Sequence, residues 1–184
     1  SAFTDNLDIL KFFKKYLKIG YYPFFIEGEA VYPQKLLEVT NLILEVDIMA
    51  YEDISYATVR NLKKLLYIIS QSVPFKPNVS KLADSLEVSR NTILKMFDLL
   101  ARAQVIQLLK SDTSGVSFLQ KPEKIYLQNT NLADVLAEGN PNVGNVRETF
   151  FYNQLSVKHD VTASKWGDFL VDDSYTFEVG GPNK

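Results

Sequence analysis

Apolar positions recur every three or four residues through roughly the first hundred positions, and every second residue afterwards. Asp8 to Leu17 predicts an amphipathic helix, with Leu7, Ile9, Leu10, Phe13 and Leu17 on one side and Lys11, Lys14, Lys15 and Lys18 largely on another. Gly20 stops it after a lysine-rich last turn, and Tyr21 to Phe25 form an aromatic connector. Pro33 opens a second helix through Leu36, Leu37, Val39, Leu42, Ile43 and Val46 to about Asp47. A third spans Thr58 to Ser70 on the stripe Leu62, Leu65, Leu66 and Ile69, ended by Pro74 and Pro77.

The strongest local signal follows. Asn78 to Leu86 predicts a short helix with an Asn/Ser start, and Glu87-Val88-Ser89 a turn. Ser89 caps a longer helix, Arg90 to about Ala103, facing Ile93, Leu94, Met96, Phe97 and Leu100 inwards. Two β-like runs, Val105 to Leu109 and Val116 to Leu119, flank a Ser/Asp/Thr/Gly turn, and a third covers Lys124 to Leu127. Leu82-Ala83, Leu86, Val88-Ser89, Thr92-Ile93 and Leu99 resemble the winged helix-turn-helix family. That resemblance implies a second helix able to enter a DNA groove, with Arg90, Asn91 and Lys95 as candidate contacts to phosphates or base edges. A protein-contact role for the same module is the alternative.

Charge sharpens this reading. Residues 57–127 hold eleven Lys/Arg against five Asp/Glu, whereas 1–56 hold five against nine and 128–184 four against eight. A basic middle between acidic flanks points to a polyanion partner, DNA being the candidate, or to an uneven solvated surface. There is no cysteine, which excludes disulfides, thiolate metal sites and cysteine nucleophiles. The single histidine, His159, excludes designs needing two imidazoles and has no partner by pattern. No apolar run reaches a membrane span, no signal peptide is present, and the cytoplasm is the expected compartment. The start without methionine and the Gly180-Gly181-Pro182-Asn183-Lys184 stop suggest a piece of a longer protein.

A wider resemblance covers nearly the whole chain. Lys15 to Pro23 and Glu45-Val46-Asp47-Ile48, followed by Lys121 to Leu127, Asn129-Thr130-Asn131-Leu132, Gly144 to Phe151, Asn153-Gln154-Leu155, Gly167 to Val171 and Phe177 to Gly181, occur in this order. This order resembles the carboxy-terminal half of a prokaryotic family of AAA+-type P-loop ATPases. The resemblance implies a helical lid (1–56), a winged helix (57–127) and a truncated, restriction-endonuclease-like α/β domain (128–184). It places ATP and magnesium in a core upstream. The chain itself has no G-x-x-x-x-G-K-[ST] loop, so no cofactor is expected in this fragment. By the same resemblance, Glu148, Asp168 and Glu178 match nuclease metal ligands, with Asp168 and Glu178 on successive strands around Asp172-Asp173-Ser174. The lysine such sites require is replaced by Gly180. Trp166 is expected to pack over the sheet or against a further domain. The expectation is therefore an α+β chain that is itself non-catalytic. Its winged helix contacts DNA or protein, and its partners are the absent ATPase core and a candidate protein partner. The alternative is a metal-dependent nuclease-like tail.

Overall fold

Six helices begin where a short polar side chain accepts a hydrogen bond from the first turn. Asp8 accepts from Lys11 N–H, Ser55 from Thr58, Asn78 from Lys81, Ser89 from Thr92, Asn129 from Leu132 and Asn142 from Gly144, at 2.8–3.2 Å. Each such cap satisfies a donor that the helix geometry leaves without a partner, worth about 1 kcal/mol. A computed structural model describes residues 8–111, 121–137 and 142–180. It is α+β, with two small antiparallel sheets among helices.

The chain order is α1 (Ile9–Ile19), a 3₁₀ turn (Pro23–Glu27), α2 (Tyr32–Leu42), a π-helical turn (Ile43–Asp47), α3 (Ile48–Tyr51) and α4 (Tyr56–Ser70). There follow α5 (Val79–Leu86), α6 (Arg90–Arg102), β1 (Ile106–Leu109), β2 (Lys124–Leu127), α7 (Thr130–Leu136) and α8 (Val143–Leu155). The tail is β3 (Val161–Ala163), β4 (Phe169–Val171) and β5 (Tyr175–Phe177). From α4 to β2 the order is three helices followed by an antiparallel strand pair. β1 pairs with β2 from Ile106↔Leu127 to Leu109↔Lys124. On the other edge of β2, Phe75 exchanges both backbone hydrogen bonds with Ile125 at 2.8 Å. The expected strand Val116 to Leu119 lies outside the described residues.

Two helix ends in this segment turn on left-handed residues other than glycine. Glu87 (φ 53°) closes α5 and Gln104 (φ 57°) closes α6. In each case the next residue's N–H reaches back five positions, Val88 to the Ala83 carbonyl and Val105 to the Leu100 carbonyl, both at 3.0 Å. The turn between α5 and α6 is thereby fixed from both sides, since Ser89 caps the helix that follows.

β3, β4 and β5 form an antiparallel meander in which Val161↔Val171 and Phe169↔Phe177 set the register. Asp172 and Asp173, both at φ near 50°, make the tight turn closed by Ser174 N–H on the Val171 carbonyl. Gly167 runs so close to β5 that a Cβ there would meet the Phe177 carbonyl at 2.7 Å. A bridge from Ser111 to Ala163 ties this sheet to the end of β1. The core is continuous across all three segments. Leu62, Leu65 and Ile69 of α4, Ile93, Phe97 and Leu100 of α6, Ile125 and Tyr126 of β2, and Phe169 of β4 belong to one buried cluster. Phe169 lies against Tyr126, Tyr152 and Phe151, with ring centroids 5.3–5.9 Å apart.

α2 and its continuation bury Tyr32, Leu36, Thr40, Leu44 and Ile48, one residue in four. The stripe predicted from a 3.6-residue period is different, and Leu37, Val39, Leu42 and Val46 from it are exposed. An unbroken α-helix would rotate a four-residue repeat by about 40° per step. The wider π turn at Ile43–Asp47 counters that rotation and lets the helix run on past Asp47, where the sequence pattern had ended it.

One buried side chain joins the amino-terminal helices to the rest. Asn131 of α7 is fully buried. Its Oδ1 accepts from Gly20 N–H and Tyr21 N–H at 2.9 Å and from the Tyr32 hydroxyl, and its Nδ2 donates to the Tyr16 and Leu17 carbonyls at 2.9 Å. A side chain thus closes the carboxy-terminal end of α1. Asn129 adds a 2.8 Å bond from Nδ2 to the Tyr22 hydroxyl. Burial pushes the Tyr32 hydroxyl up to about 12, so it stays a proton donor throughout the physiological range. We expect Asn131→Ala to destabilise the fold by at least about 3 kcal/mol, because it orphans several buried backbone groups at once. Urea unfolding of the variant measures this, and a loss below about 1 kcal/mol would show that water can replace the amide.

Candidate functional site

Two places collect the candidate residues. The first is the outer face of α6. Asn78 and Ser89 position α5 and α6, whose inner faces bury Leu82, Leu86, Ile93, Met96, Phe97 and Leu100. Arg90, Asn91 and Lys95 are left exposed, as the pattern predicts. Lys95, however, is not facing open solvent alone: its Nζ lies 3.3 Å from Glu52 Oε2. Glu52 follows α3, and its other oxygen takes Arg102 Nη1 at 3.1 Å. Arg102 also lies 3.8 Å from Asp98, one turn back on α6. The hydrogen bond from Arg102, and then that from Lys95, holds the Glu52 carboxyl below its ordinary range.

From Asn78 to Ala103 the four cations Lys81, Arg90, Lys95 and Arg102 therefore meet the acids Asp84, Glu87 and Asp98. Glu52, reaching over from α3, cancels the remainder. The sequence analysis missed Glu52 because it lies 43 positions from Lys95 in a segment with no helix-turn-helix signal. Beside this ion pair, Ile43, Asp47, Ile48, Ala50, Glu52, Leu99, Arg102 and Ala103 line a half-open, mainly apolar cleft of about 580 Å³ between the π turn, α3 and α6.

The second place is the junction of β2, α8 and β4. Glu148 on α8 and Asp168 before β4 come together, as expected of two members of the candidate acid triad. What lies between them is Lys124 of β2, with Nζ 3.0 Å from Asp168 Oδ1 and 3.4 Å from Glu148 Oε2. All three side chains are largely withdrawn from solvent, with 13–17% exposure. The Tyr126 hydroxyl donates to Glu148 Oε2 at 2.9 Å, and Val179 N–H donates to Asp168 Oδ2 at 3.0 Å. Burial first, and the negative Glu148 second, raise the Tyr126 hydroxyl far above its ordinary value, so it is a donor here and never a phenolate.

Extending the β4–β5 register by one step places the exposed Glu178 opposite Asp168. Among the described residues, no three His, Asp or Glu side chains are grouped so as to hold a metal ion. The ammonium group of Lys124 takes the position between two carboxylates that a cation would otherwise need. This lysine comes from β2, whereas position 180 after β5 holds glycine. Its signal was present: strand alternation puts Lys124 and Tyr126 on one face of β2.

Two other expectations are corrected. His159 has a partner, its Nδ1 lying 2.6 Å from Asp172 Oδ2, and that hydrogen bond lowers the Asp172 carboxyl. Of the two places expected for Trp166, the sheet is excluded, since the residue is 91% exposed; contact with a further domain is the alternative that stands.

Residues 10–142 match the family described as Domain of unknown function (DUF8612). The chain belongs to that family. It is also 26% identical over 114 residues to the uncharacterized protein MJ1637 of Methanocaldococcus jannaschii, a stretch that covers 61% of this chain. The match spans 24% of that curated relative, about a quarter of its length. No solved structure matches the chain.

We expect Lys124→Met to cost about 3 kcal/mol, since it strands two largely buried carboxylates without their cation. The triple variant Lys124→Met, Glu148→Gln, Asp168→Asn should recover most of that loss. Thermal unfolding of both variants checks this; equal destabilisation would mean that the ion pairs are incidental.

Proposed function

We propose that the chain is a non-catalytic interaction region of a longer protein, and that its winged helix contacts protein rather than DNA. The observation that carries this reading is the Glu52 clasp. The helix that would enter a DNA groove has Lys95 and Arg102 held by one carboxylate, with Asp98 beside them. A groove-reading helix needs its cations free to replace counterions on phosphates. Here that exchange first requires breaking internal ion pairs.

The apolar surface supports the same conclusion. Trp166, Ile9, Leu10, Phe12, Leu42 and Val46 all stand exposed. Large exposed aromatic and aliphatic side chains are typical of surfaces that meet another protein. The setting follows from the resemblance to P-loop ATPases: ATP and magnesium belong to a core upstream, and the helices before α4 would pass its motion to the winged helix. The cytoplasm is the compartment consistent with such a protein. A nuclease-like tail is the second reading, favoured by the meeting of Glu148 with Asp168, yet Lys124 fills the space between them.

A duplex-retardation assay separates the readings. At salt between about 50 and 200 mM we expect no retention of mixed-sequence duplex. Salt-sensitive retention that Arg90→Glu with Lys95→Glu abolishes, while Lys11→Glu with Lys14→Glu leaves it intact, would establish DNA contact instead. We also expect no plasmid cleavage with Mg²⁺ or Mn²⁺. Cleavage lost on Asp168→Ala or Glu178→Ala would move the protein into the enzyme class.

A further inference from the structure

Two surfaces of this chain are complementary to each other and cannot meet within one molecule. The first is the free half of α1. Around that helix, Ile9, Leu10, Phe12, Phe13, Tyr16 and Leu17 occupy one broad arc, and Lys11, Lys14, Lys15 and Lys18 the other. There is no acid between Ile9 and Ile19. Its carboxy-terminal half is seated on α7 through Asn131. Phe13 packs edge-on against Phe150, but the first turns are otherwise open, with Ile9 75%, Leu10 69% and Phe12 56% exposed. Of the lysines, Lys15 already pairs with Glu29.

The second surface is the cleft between the π turn, α3 and α6. Its floor is apolar, from Ile43, Ile48, Ala50, Leu99 and Ala103. Val46, 51% exposed and one turn from Ala50, extends the apolar strip outward, and Leu42 continues it. The rim is acidic. From Leu36 to Val59 the chain has five acids, Glu38, Glu45, Asp47, Glu52 and Asp53, and no lysine or arginine. Lys63 neutralises Glu45, and Lys95 and Arg102 neutralise Glu52. Asp47 lines the cleft, and Glu38 and Asp53 are exposed on the same acid-rich segment.

We infer that the cleft receives the amino-terminal half of α1 from a second copy of the chain. An apolar helix face bordered by lysines matches an apolar groove set in an acid-rich segment. The Asn131 anchor holds α1 against its own α7, so the partner must come in trans. Because each copy offers two different patches, the contact is head to tail. It leaves one free helix and one free cleft on every pair. This rests on the protein-contact reading above and names the partner.

The test is the solution mass of the chain by light scattering across concentration and salt. The wild-type chain should grow in average mass with concentration and shrink as salt rises. Phe12→Glu spoils only the helix and Val46→Lys only the cleft; both positions are exposed, and unchanged melting confirms that each variant folds. Each alone should associate at least about tenfold more weakly than wild type. Mixed one to one, they should form dimers that go no further, since one good helix then meets one good cleft.

A wild-type chain that stays monomeric overturns the inference, and so does a mixture that fails to pair. Either result returns the cleft to a segment of the longer protein or to a different partner. Failure here with no duplex retention leaves the protein-contact reading in place, whereas salt-sensitive duplex retention removes that reading itself.

Discussion

One buried amide decides how this chain is put together. The last turn of an α-helix ends in carbonyls without partners, and helix ends are most often closed by a following glycine or by water. Here α1 ends against Asn131, which lies more than a hundred positions away and fills both its donor and acceptor capacity. Tyr32, at the start of α2, shares the same oxygen. Two helices therefore converge on one side chain of α7, which follows β2 directly. The amino-terminal helices and the body formed by α4 to β2 are coupled by directional bonds as well as by apolar contact. Such a joint holds one geometry or breaks.

The second constraint is charge. The chain's middle is basic in sequence, yet four of its eleven cations are paired within the protein. Lys63 goes to Glu45, Lys95 and Arg102 to Glu52, and Lys124 to Glu148 and Asp168. Each pairing bridges segments distant in sequence, so net charge per segment says little about the potential a partner meets. The surface that remains distinctive is apolar, and it is concentrated on the helices that precede α4.

Local chemistry was legible in the sequence. Ser89 and Asn78 announced the two helices, the switch to alternation near Val105 announced β1, and Asp172-Asp173 announced the hairpin. The pairing of Glu148 with Asp168 came from a family resemblance and not from local pattern. Interactions closed over long loops were not legible. Nothing near Glu52 indicates Lys95, and Asn131 looks like any polar residue in a helix start until α1 is placed on it. The stripe of α2 was misjudged for a different reason. Its apolar residues satisfy two periods at once, and only the helix geometry selects Leu36, Leu44 and Ile48 for the core while leaving Leu42 and Val46 outside. Trp166 escaped because an aromatic residue beside a strand is ordinarily core.

The π turn at Ile43–Asp47 has a consequence for tolerance to length change. It is a stored residue: one position more than a regular helix would use over that span. Removal of a single residue there would let the helix relax into uniform winding, which is locally favourable, so it would not announce itself as loss of helix content. Phase would hardly change, because five residues in the wide turn cover about the rotation that four cover in a regular helix. Ile48 would stay on its buried side and Glu52 within reach of Lys95 and Arg102. Insertions and deletions are usually tolerated in loops and punished in helices; this turn is the place in a helix where one residue can be lost while the elements beyond it keep their positions.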